Sequence, residues 1–261
     1  MPGNPGALEG IVGEHLVQVE PSYRRVRVVF GGAVVADSRS VLLLRETGAL
    51  PVYYFPVGDV TPGALEPSSR RYDCPHKGVA TYFHVAGGAR RAEDAAWSYE
   101  TVTEAASPLE GHVAFDWPSM DAWYEEDDEV FKHARDPYHR VDVLHSSRHV
   151  IVRLQGIELA ESARPRLCVE TAMPPRFYLP RLDVRLDLLR PSATTSVCPY
   201  KGEAVYFSAG IGGTVVPDVA WSYPAPIPEC PKIENLICFF NERVDLEVDG
   251  ELIERPTTAW S

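Results

Sequence analysis

The sequence predicts a mainly β protein made of two tandem copies of one compact domain with little helix, and three observations support this class. The block Cys74–Gly78 (CPHKG) returns as Cys198–Gly202 (CPYKG), and Asp94–Tyr99 (DAAWSY) returns as Asp218–Tyr223 (DVAWSY). Both blocks recur after 124 positions without a gap, a period of domain length rather than the roughly 20–50 residues of a solenoid unit. In addition, 23 prolines are spread among short β-branched and aromatic runs, which leaves little room for long helices.

The repeat offset divides the chain, since the matching positions begin near His15 and His139. Each copy is long enough to bury a core of its own. We therefore expect five segments, namely a flexible Gly/Pro-rich lead (1–14), a first repeat domain (15–125), a linker (126–138), a second repeat domain (139–249) and a C-terminal tail (250–261).

Short β-prone runs follow one another within the first copy. Val26–Phe30 and Ala33–Ala36 flank Gly31 and Gly32, where glycine accepts a positive φ, and this pattern is typical of a hairpin. Further runs bounded by Pro, Gly, Asp or Ser predict the remaining strands, which are Val41–Leu44, Val52–Phe55, Ala80–Val85, Ala95–Tyr99 and His112–Phe115. The second copy repeats this series. Gly156 keeps the second turn position.

Pro118–Arg135 is the one stretch with apolar residues spaced partly at three and four, which predicts a helix. It contains the acidic run Glu125–Glu129. Such a run is typical of a solvated face or of a linker.

The composition limits the partners of the protein. Its net charge of −12 argues against nucleic acids and anionic membranes, which are polyanions. The N-terminus lacks signal-peptide features and no run approaches a membrane span, so we expect a cytoplasmic protein. Small molecules or proteins remain as partners, and the oligomeric state stays open.

Metal and cofactor sites are not indicated either. Five cysteines without a CxxC or HExxH spacing predict neither a disulfide framework nor a zinc site of the usual kind. We therefore expect no cofactor.

Taken together, the two blocks, the Val52–Pro56 segment ahead of Asp59 and the apolar block ending near Asp121 resemble the domain of unknown function 427 (DUF427) family, about residues 15–125 and again 139–249. The resemblance implies a compact β-tent-like domain of the sandwich or barrel kind, similar to the thalidomide-binding domain of cereblon. Those relatives bind zinc through two CxxC pairs, whereas each copy here has one cysteine at its CPxKG block. The family sometimes carries a nucleotidyltransferase label, but the sequence has no Gly-Ser pair, Asp-x-Asp motif or P-loop to hold a triphosphate with Mg²⁺.

The turn around Lys77 is the first candidate site, and Lys201 is its counterpart. Each lysine could enter a pocket as an anion anchor, a proton donor or a Schiff-base nucleophile. Each could instead pair with Asp94 or Asp218 and fix the turn to a strand. The candidate catalytic residues are Lys77, His76, Tyr99, Asp94 and Lys201.

The cysteines and turn acids allow other chemistry. Cys74 could be a nucleophile with His76 as its base. The second copy has Tyr200 in place of His76, so a shared Cys-His mechanism is excluded and a buried thiol is the alternative. Asp59, Asp183, Glu46 and Glu170 are expected in turn or capping roles, with general acid–base chemistry as the alternative.

A repeated aromatic set forms the second candidate site. Trp97 and Tyr99 share one face of a strand, and aromatics on facing strands could hold a flat or cationic ligand. The alternative is an ordinary core. The candidate ligand-binding residues are Tyr54, Tyr82, Trp97, Tyr178, Tyr206, Trp221, Tyr223 and Asp218.

These patterns favour a small-molecule-binding protein, with a metabolic enzyme using Lys, Tyr and Asp acid–base chemistry as one form of it. A noncatalytic binder and a protein-interaction module are the alternatives. Because an imidazole titrates near neutral pH and a phenol does not, His76 leads us to expect that the first copy carries more of the function. A symmetric pair of binding sites, one in each copy, is the alternative.

Overall fold

The computed structural model describes residues 15–261, so the expected flexible lead lies outside the described residues. The described chain divides into two compact units, residues 15–136 and 137–261. Each contains a seven-stranded and a four-stranded sheet.

The strands of the first repeat pair antiparallel, in the order β1-β4-β5-β9-β8-β7-β6 and β11-β10-β2-β3. Their bounds are β1 Val17–Pro21, β2 Val26–Phe30, β3 Ala33–Ser38, β4 Leu42–Glu46, β5 Val52–Pro56, β6 Leu65–Cys74, β7 Gly78–Gly87, β8 Arg90–Val102, β9 His112–Phe115, β10 Ala122–Glu125 and β11 Asp128–Glu129.

The second repeat has the same plan, in the order β12-β15-β16-β20-β19-β18-β17 and β14-β13-β21-β22. Each strand begins 123 to 125 residues after its counterpart, as the bounds show: β12 Val141–His145, β13 Val150–Leu154, β14 Ile157–Ser162, β15 Arg166–Glu170, β16 Arg176–Leu179, β17 Leu189–Cys198, β18 Gly202–Ile211, β19 Thr214–Ser222, β20 Ile237–Phe239, β21 Asp245–Val248 and β22 Glu251–Ile253. The prediction of a mainly β tandem protein is confirmed.

Helix in the described part of the chain is limited to short 3₁₀ segments. They are Val57–Asp59, Glu104–Leu109, Trp117–Ser119, Arg181–Asp183, Leu186–Leu188 and Pro231–Ile233. None of the helices described here has the length and apolar character needed to cross a membrane.

The seven-stranded sheet of each repeat buries both of its faces. In the first repeat one face packs on the four-stranded sheet through residues such as Tyr53, Phe55 and Phe115. The other face carries a second core around Leu44, Tyr54, Tyr99, Cys74 and Ala114, covered in part by the 3₁₀ segment Glu104–Leu109. Alternation along the strands therefore divides the side chains between two cores.

This second face is concave. Lys77, in the turn between β6 and β7, contacts Glu46 on β4. In a flat sheet these strands would be about 19 Å apart, because four inter-strand steps of about 4.8 Å separate β4 from β7. The sheet must curl to bring them together, although its edge strands β1 and β6 do not pair in the described residues, so it is not a closed barrel.

The predicted hairpin is confirmed, with β2 and β3 pairing around Gly31 (φ 60°) and Gly32 (φ 76°). A side chain at Gly31 would place its Cβ 1.9 Å from the carbonyl oxygen of Gly87, so this turn position also needs glycine for close approach. In the second repeat Gln155 takes the positive φ beside Gly156.

The helix predicted over 118–135 is wrong. This stretch forms the 3₁₀ segment Trp117–Ser119 followed by strands β10 and β11. Glu125 is also not a solvated residue, since it is 3% exposed and accepts a hydrogen bond from Tyr53 at 2.7 Å. Residues 126–129 are exposed, as an acidic run usually is.

Candidate functional site

The concave face of the first repeat carries a row of aromatic side chains across four neighbouring strands. Tyr54, Ala114, Trp97 and Tyr82 occupy directly paired positions on β5, β9, β8 and β7. The indole N–H of Trp97 donates to the Tyr54 hydroxyl at 2.9 Å, and the rings of Trp97 and Tyr82 lie 6.3 Å apart. Tyr99 stacks beside Tyr54 at 6.5 Å.

The second repeat preserves this row. Trp221 donates its indole N–H to the Tyr178 hydroxyl at 3.1 Å, and Tyr206 pairs directly with Trp221. The phenols of Tyr178 and Tyr223 are buried, and burial raises the pKa of each well above its usual value. Burial likewise raises the pKa of Tyr54 and Tyr99. All four phenols therefore remain protonated, and they are hydrogen-bonding groups rather than bases.

In the second repeat the row is covered by the protein's own chain. The Phe240 ring lies 4.5 Å from the Trp221 ring and 6.3 Å from the Tyr206 ring. Arg243 lies over Phe240 at 4.9 Å, and Trp260 near the C-terminus packs 6.4 Å away.

A buried ion pair supports this cover from the side. Arg176 binds Glu242 through two hydrogen bonds of 2.8 and 2.6 Å, and its guanidinium lies 5.6 Å from the Trp221 ring. Trp221 is consequently 8% exposed.

The first repeat lacks these covering groups. Asp116 replaces Phe240 at the repeat offset, and its carboxylate caps the 3₁₀ segment Trp117–Ser119 by accepting hydrogen bonds from the backbone N–H and the hydroxyl of Ser119. Val52 and Pro118 replace the arginine and the glutamate of the ion pair. Trp97 and Tyr82 are only partly buried, and among the described residues the group over the Tyr82 ring is the Arg70 guanidinium, at 4.2 Å.

A His-Glu-Lys cluster joins β4 to the β6–β7 turn at one end of the concave face. In the first repeat, Lys77 Nζ donates to Glu46 Oε2, and His15 Nε2 lies 3.0 Å from Glu46 Oε1. His76 stacks on His15 with ring centroids 3.6 Å apart. The second repeat has the same arrangement with Lys201, Glu170 and His139, and Tyr200 stacks on the histidine at 4.0 Å. We call each such trio a clasp.

The clasp carboxylates are ionised. Burial raises the pKa of Glu46, but hydrogen bonds from Lys77 and His15 outweigh this effect and hold that pKa below its usual value. Glu170 shows the same balance. For Lys201, burial lowers the pKa, and the charge of Glu170 more than offsets it, so the pKa is raised. A lysine held as an ammonium is not a Schiff-base nucleophile.

The expected pairing of each lysine with Asp94 or Asp218 is wrong, because both lysines bind glutamates instead. Asp94 lies eight positions along β8 from Val102, the partner of Gly78, which corresponds to roughly 25 Å of strand. The two aspartates adopt positive φ values at bulges and accept hydrogen bonds from hydroxyls two strands away, Asp94 from Ser68 on β6 at 2.5 Å and Asp218 from Thr194 on β17 at 2.8 Å. Their contacts within the fold are structural.

The other sequence-derived candidates do not form a reactive centre in the described residues. Cys74 is buried in the concave core, and burial raises the pKa of the Cys198 thiol. His76 is exposed and stacked on His15. Asp59 and Asp183 accept hydrogen bonds from Ser38 and Ser162. Among residues 15–261 no group of three or more His, Cys, Asp and Glu side chains is arranged to hold a metal ion.

Sequence reasoning missed the clasp, although a signal was present. His15, Glu46 and Lys77 are spaced by 31 and 31 residues, and all three recur at the repeat offset. The expectation that Glu46 and Glu170 have turn or capping roles hid their role as lysine partners.

Comparison with protein families agrees with the repeated architecture. The model of a domain of unknown function, DUF427, matches the chain twice, at residues 18–126 and 142–250, which together exceed half of its length. No curated protein matches the chain.

Proposed function

Starting from the fact that the chain belongs to the DUF427 family as a tandem pair of its domains, we propose that the first repeat binds a small, flat aromatic molecule on Trp97 and Tyr82. One observation carries this proposal. The same hydrogen-bonded tryptophan is covered by the Phe240 ring in the second repeat and by no described ring in the corresponding place in the first.

The position of Phe240 in the second repeat indicates which kind of ligand would fit the matching place in the first. The Phe240 side chain is a planar apolar ring resting on an indole and a phenol, with a cation at 4.9 Å on one side. Aromatic pairs of this kind contribute roughly 0.5–1.5 kcal/mol beyond the area that they bury. An aromatic ligand would make comparable contacts with the open row in the first repeat.

The hydrogen bond between Trp97 and Tyr54 supports binding by fixing the indole before a ligand arrives. A ring already held in one orientation loses little freedom on binding. The acid–base groups, in contrast, are committed to each other in the clasp or hydrogen-bonded within the fold. The geometry therefore favours ligand binding over proton transfer.

The experiment is a titration with indole, followed by the indole N–H signals in a ¹⁵N–¹H correlation spectrum. The protein has five tryptophans, and Trp97→Phe and Trp221→Phe assign the two signals of interest. We expect indole to shift the Trp97 signal and leave the Trp221 signal in place. Equal shifts of the two signals, or no shift of either at millimolar indole, would refute the proposal.

A pair of matched variants separates binding from folding. Tyr82→Leu should abolish the response of the Trp97 signal, whereas Tyr206→Leu, the matching change in the second repeat, should preserve it. Circular dichroism of both variants establishes that the strands are retained.

A further inference from the structure

The partner of Tyr82 indicates what else the ligand carries. The Arg70 guanidinium lies 4.2 Å from the Tyr82 ring centroid. Tyr82 is the ring that lies beside Trp97 in the open row. Arg70 belongs to the irregular part of β6, where the pairing with β7 shifts between Pro67 and Arg71. This bulge places a charged side chain over an aromatic ring at the edge of the open row.

The hydrogen-bonding capacity of Arg70 is largely unused. Its side chain is 55% exposed, and its nearest carboxylate oxygen, on Asp94, is 3.8 Å away, beyond hydrogen-bond distance. That oxygen belongs to a carboxylate already bound by Ser68 at 2.5 Å. No side-chain hydrogen bond of Arg70 is present among residues 15–261, so its five N–H donors remain available.

The stacking sets the direction of those donors. A guanidinium lying on an aromatic ring keeps its N–H groups in its own plane, roughly parallel to the ring. A ligand ring stacked on Trp97 would lie beside the guanidinium, because the Tyr82 and Trp97 rings are neighbours, with centroids 6.3 Å apart and planes inclined by 37°. A carboxylate at the edge of that ligand could then accept two N–H bonds from the guanidinium.

We infer that the site of the first repeat takes aromatic carboxylates, with Arg70 over Tyr82 as the anchor of the anionic group. This inference rests on the proposed function and specifies its ligand class. The second repeat is consistent with it, since Thr194 replaces Arg70 there and binds Asp218. The covered row thus lacks a cation at the position of Arg70 and also lacks the open surface.

The test compares indole-3-carboxylate with indole-3-methanol, which share a ring and differ in charge. The readout is again the shift of the Trp97 indole signal during titration. We expect the carboxylate to bind about tenfold more tightly, the order of magnitude of one charge-assisted hydrogen bond. The preference should fall in 0.5 M salt because exposed charges are screened.

Three variants identify the anchor. Arg70→Gln should remove the preference and leave the affinity for indole-3-methanol unchanged. Arg71→Gln is the matched control, because Arg71 donates to the backbone oxygens of Ser68 and Arg70, and it should preserve the preference. Asp94→Asn removes the competing carboxylate and should strengthen carboxylate binding.

The outcomes separate the two proposals. Equal binding of the acid and the alcohol, or a preference that survives Arg70→Gln, would overturn the anionic class while aromatic binding stands. If neither compound nor indole shifts the Trp97 signal, the proposed function fails, and the inference fails with it.

Discussion

Replacing Glu46 by Gln should destabilise the first repeat strongly, because it leaves the ammonium of Lys77 without its counter-charge. Lys77 is 7% exposed, and Glu46 provides both of its carboxylate oxygens to the clasp, one to Lys77 and one to His15. Breaking a buried pair by removing one partner costs about 3–5 kcal/mol. We expect Glu46→Gln to fall in this range.

The double variant Glu46→Gln/Lys77→Met tests the cause. It removes the isolated charge and replaces the lysine stem by an apolar side chain of similar length. Replacing a buried pair by apolar residues is often close to neutral, so the double variant should be more stable than Glu46→Gln alone. A cycle with Lys77→Met completes the measurement of the coupling.

Hydrogen exchange read by mass spectrometry is the assay, since it reports each repeat separately within the intact chain. Peptides from β4 and β7 should exchange about a hundredfold faster in Glu46→Gln, the equivalent of about 3 kcal/mol. Peptides from the second repeat serve as the internal reference. Glu170→Gln should give the reverse pattern. An effect of Glu46→Gln below about 1 kcal/mol, the scale of exposed pairs, would refute the reasoning, as would a double variant less stable than either single one.

Three further outcomes are expected. Gly78→Ala should destabilise more than Gly202→Ala in thermal unfolding, since both have φ near 105° but only at Gly78 would a Cβ lie 1.9 Å from a backbone oxygen; comparable losses would contradict the clash. Burial raises the pKa of Glu170, but its hydrogen bonds lower that pKa by more, so the folded-state pKa lies below the ordinary value of about 4.5. The stability that Glu170 contributes should therefore be complete above about pH 4.5 and be lost as the pH falls through the folded-state pKa. Calorimetry of Glu170→Gln should show a flatter dependence of stability on acid pH, and an unchanged dependence would exclude this carboxylate as its source. Phe240→Ala should cost about 3–5 kcal/mol and make the Trp221 indole signal respond to indole; silence of that signal in a folded variant would show that Phe240 is not the cover.

The sequence predicted the elements whose signals are local. The glycines at positions 31 and 32 predict the hairpin because a turn of positive φ is specified by the residues within it. The repeat of whole blocks predicts two like domains for the same reason, as it needs no knowledge of long-range contacts. An indole N–H within a domain needs a hydrogen-bond partner, and the partly buried Trp97 has one in Tyr54.

The failures concern contacts between distant strands. Trp123 and Glu125 are buried while Tyr124 between them is partly exposed, an alternation too short to distinguish from a helical pattern in the sequence. Lys77 was expected to bind the acid repeated with it, Asp94, but the curl of the sheet brings Glu46 to it from four strands away. Cover of the aromatic row by Phe240 likewise depends on the path of the chain after β20.

The clasp also determines how the concave face can open. In the described residues, the clasp of His15, Glu46 and Lys77 joins β4 to the β6–β7 turn without a strand-to-strand hydrogen bond between them, and the core around Leu44 and Cys74 packs on the same face. A closed barrel can widen only by breaking a ladder of backbone hydrogen bonds. Separating β4 from the β6–β7 turn in this fold would break an ion pair and expose part of the concave core, but it would leave every backbone pairing between the strands intact. Protonation of the clasp glutamate should therefore weaken this contact while the sheet itself stays paired.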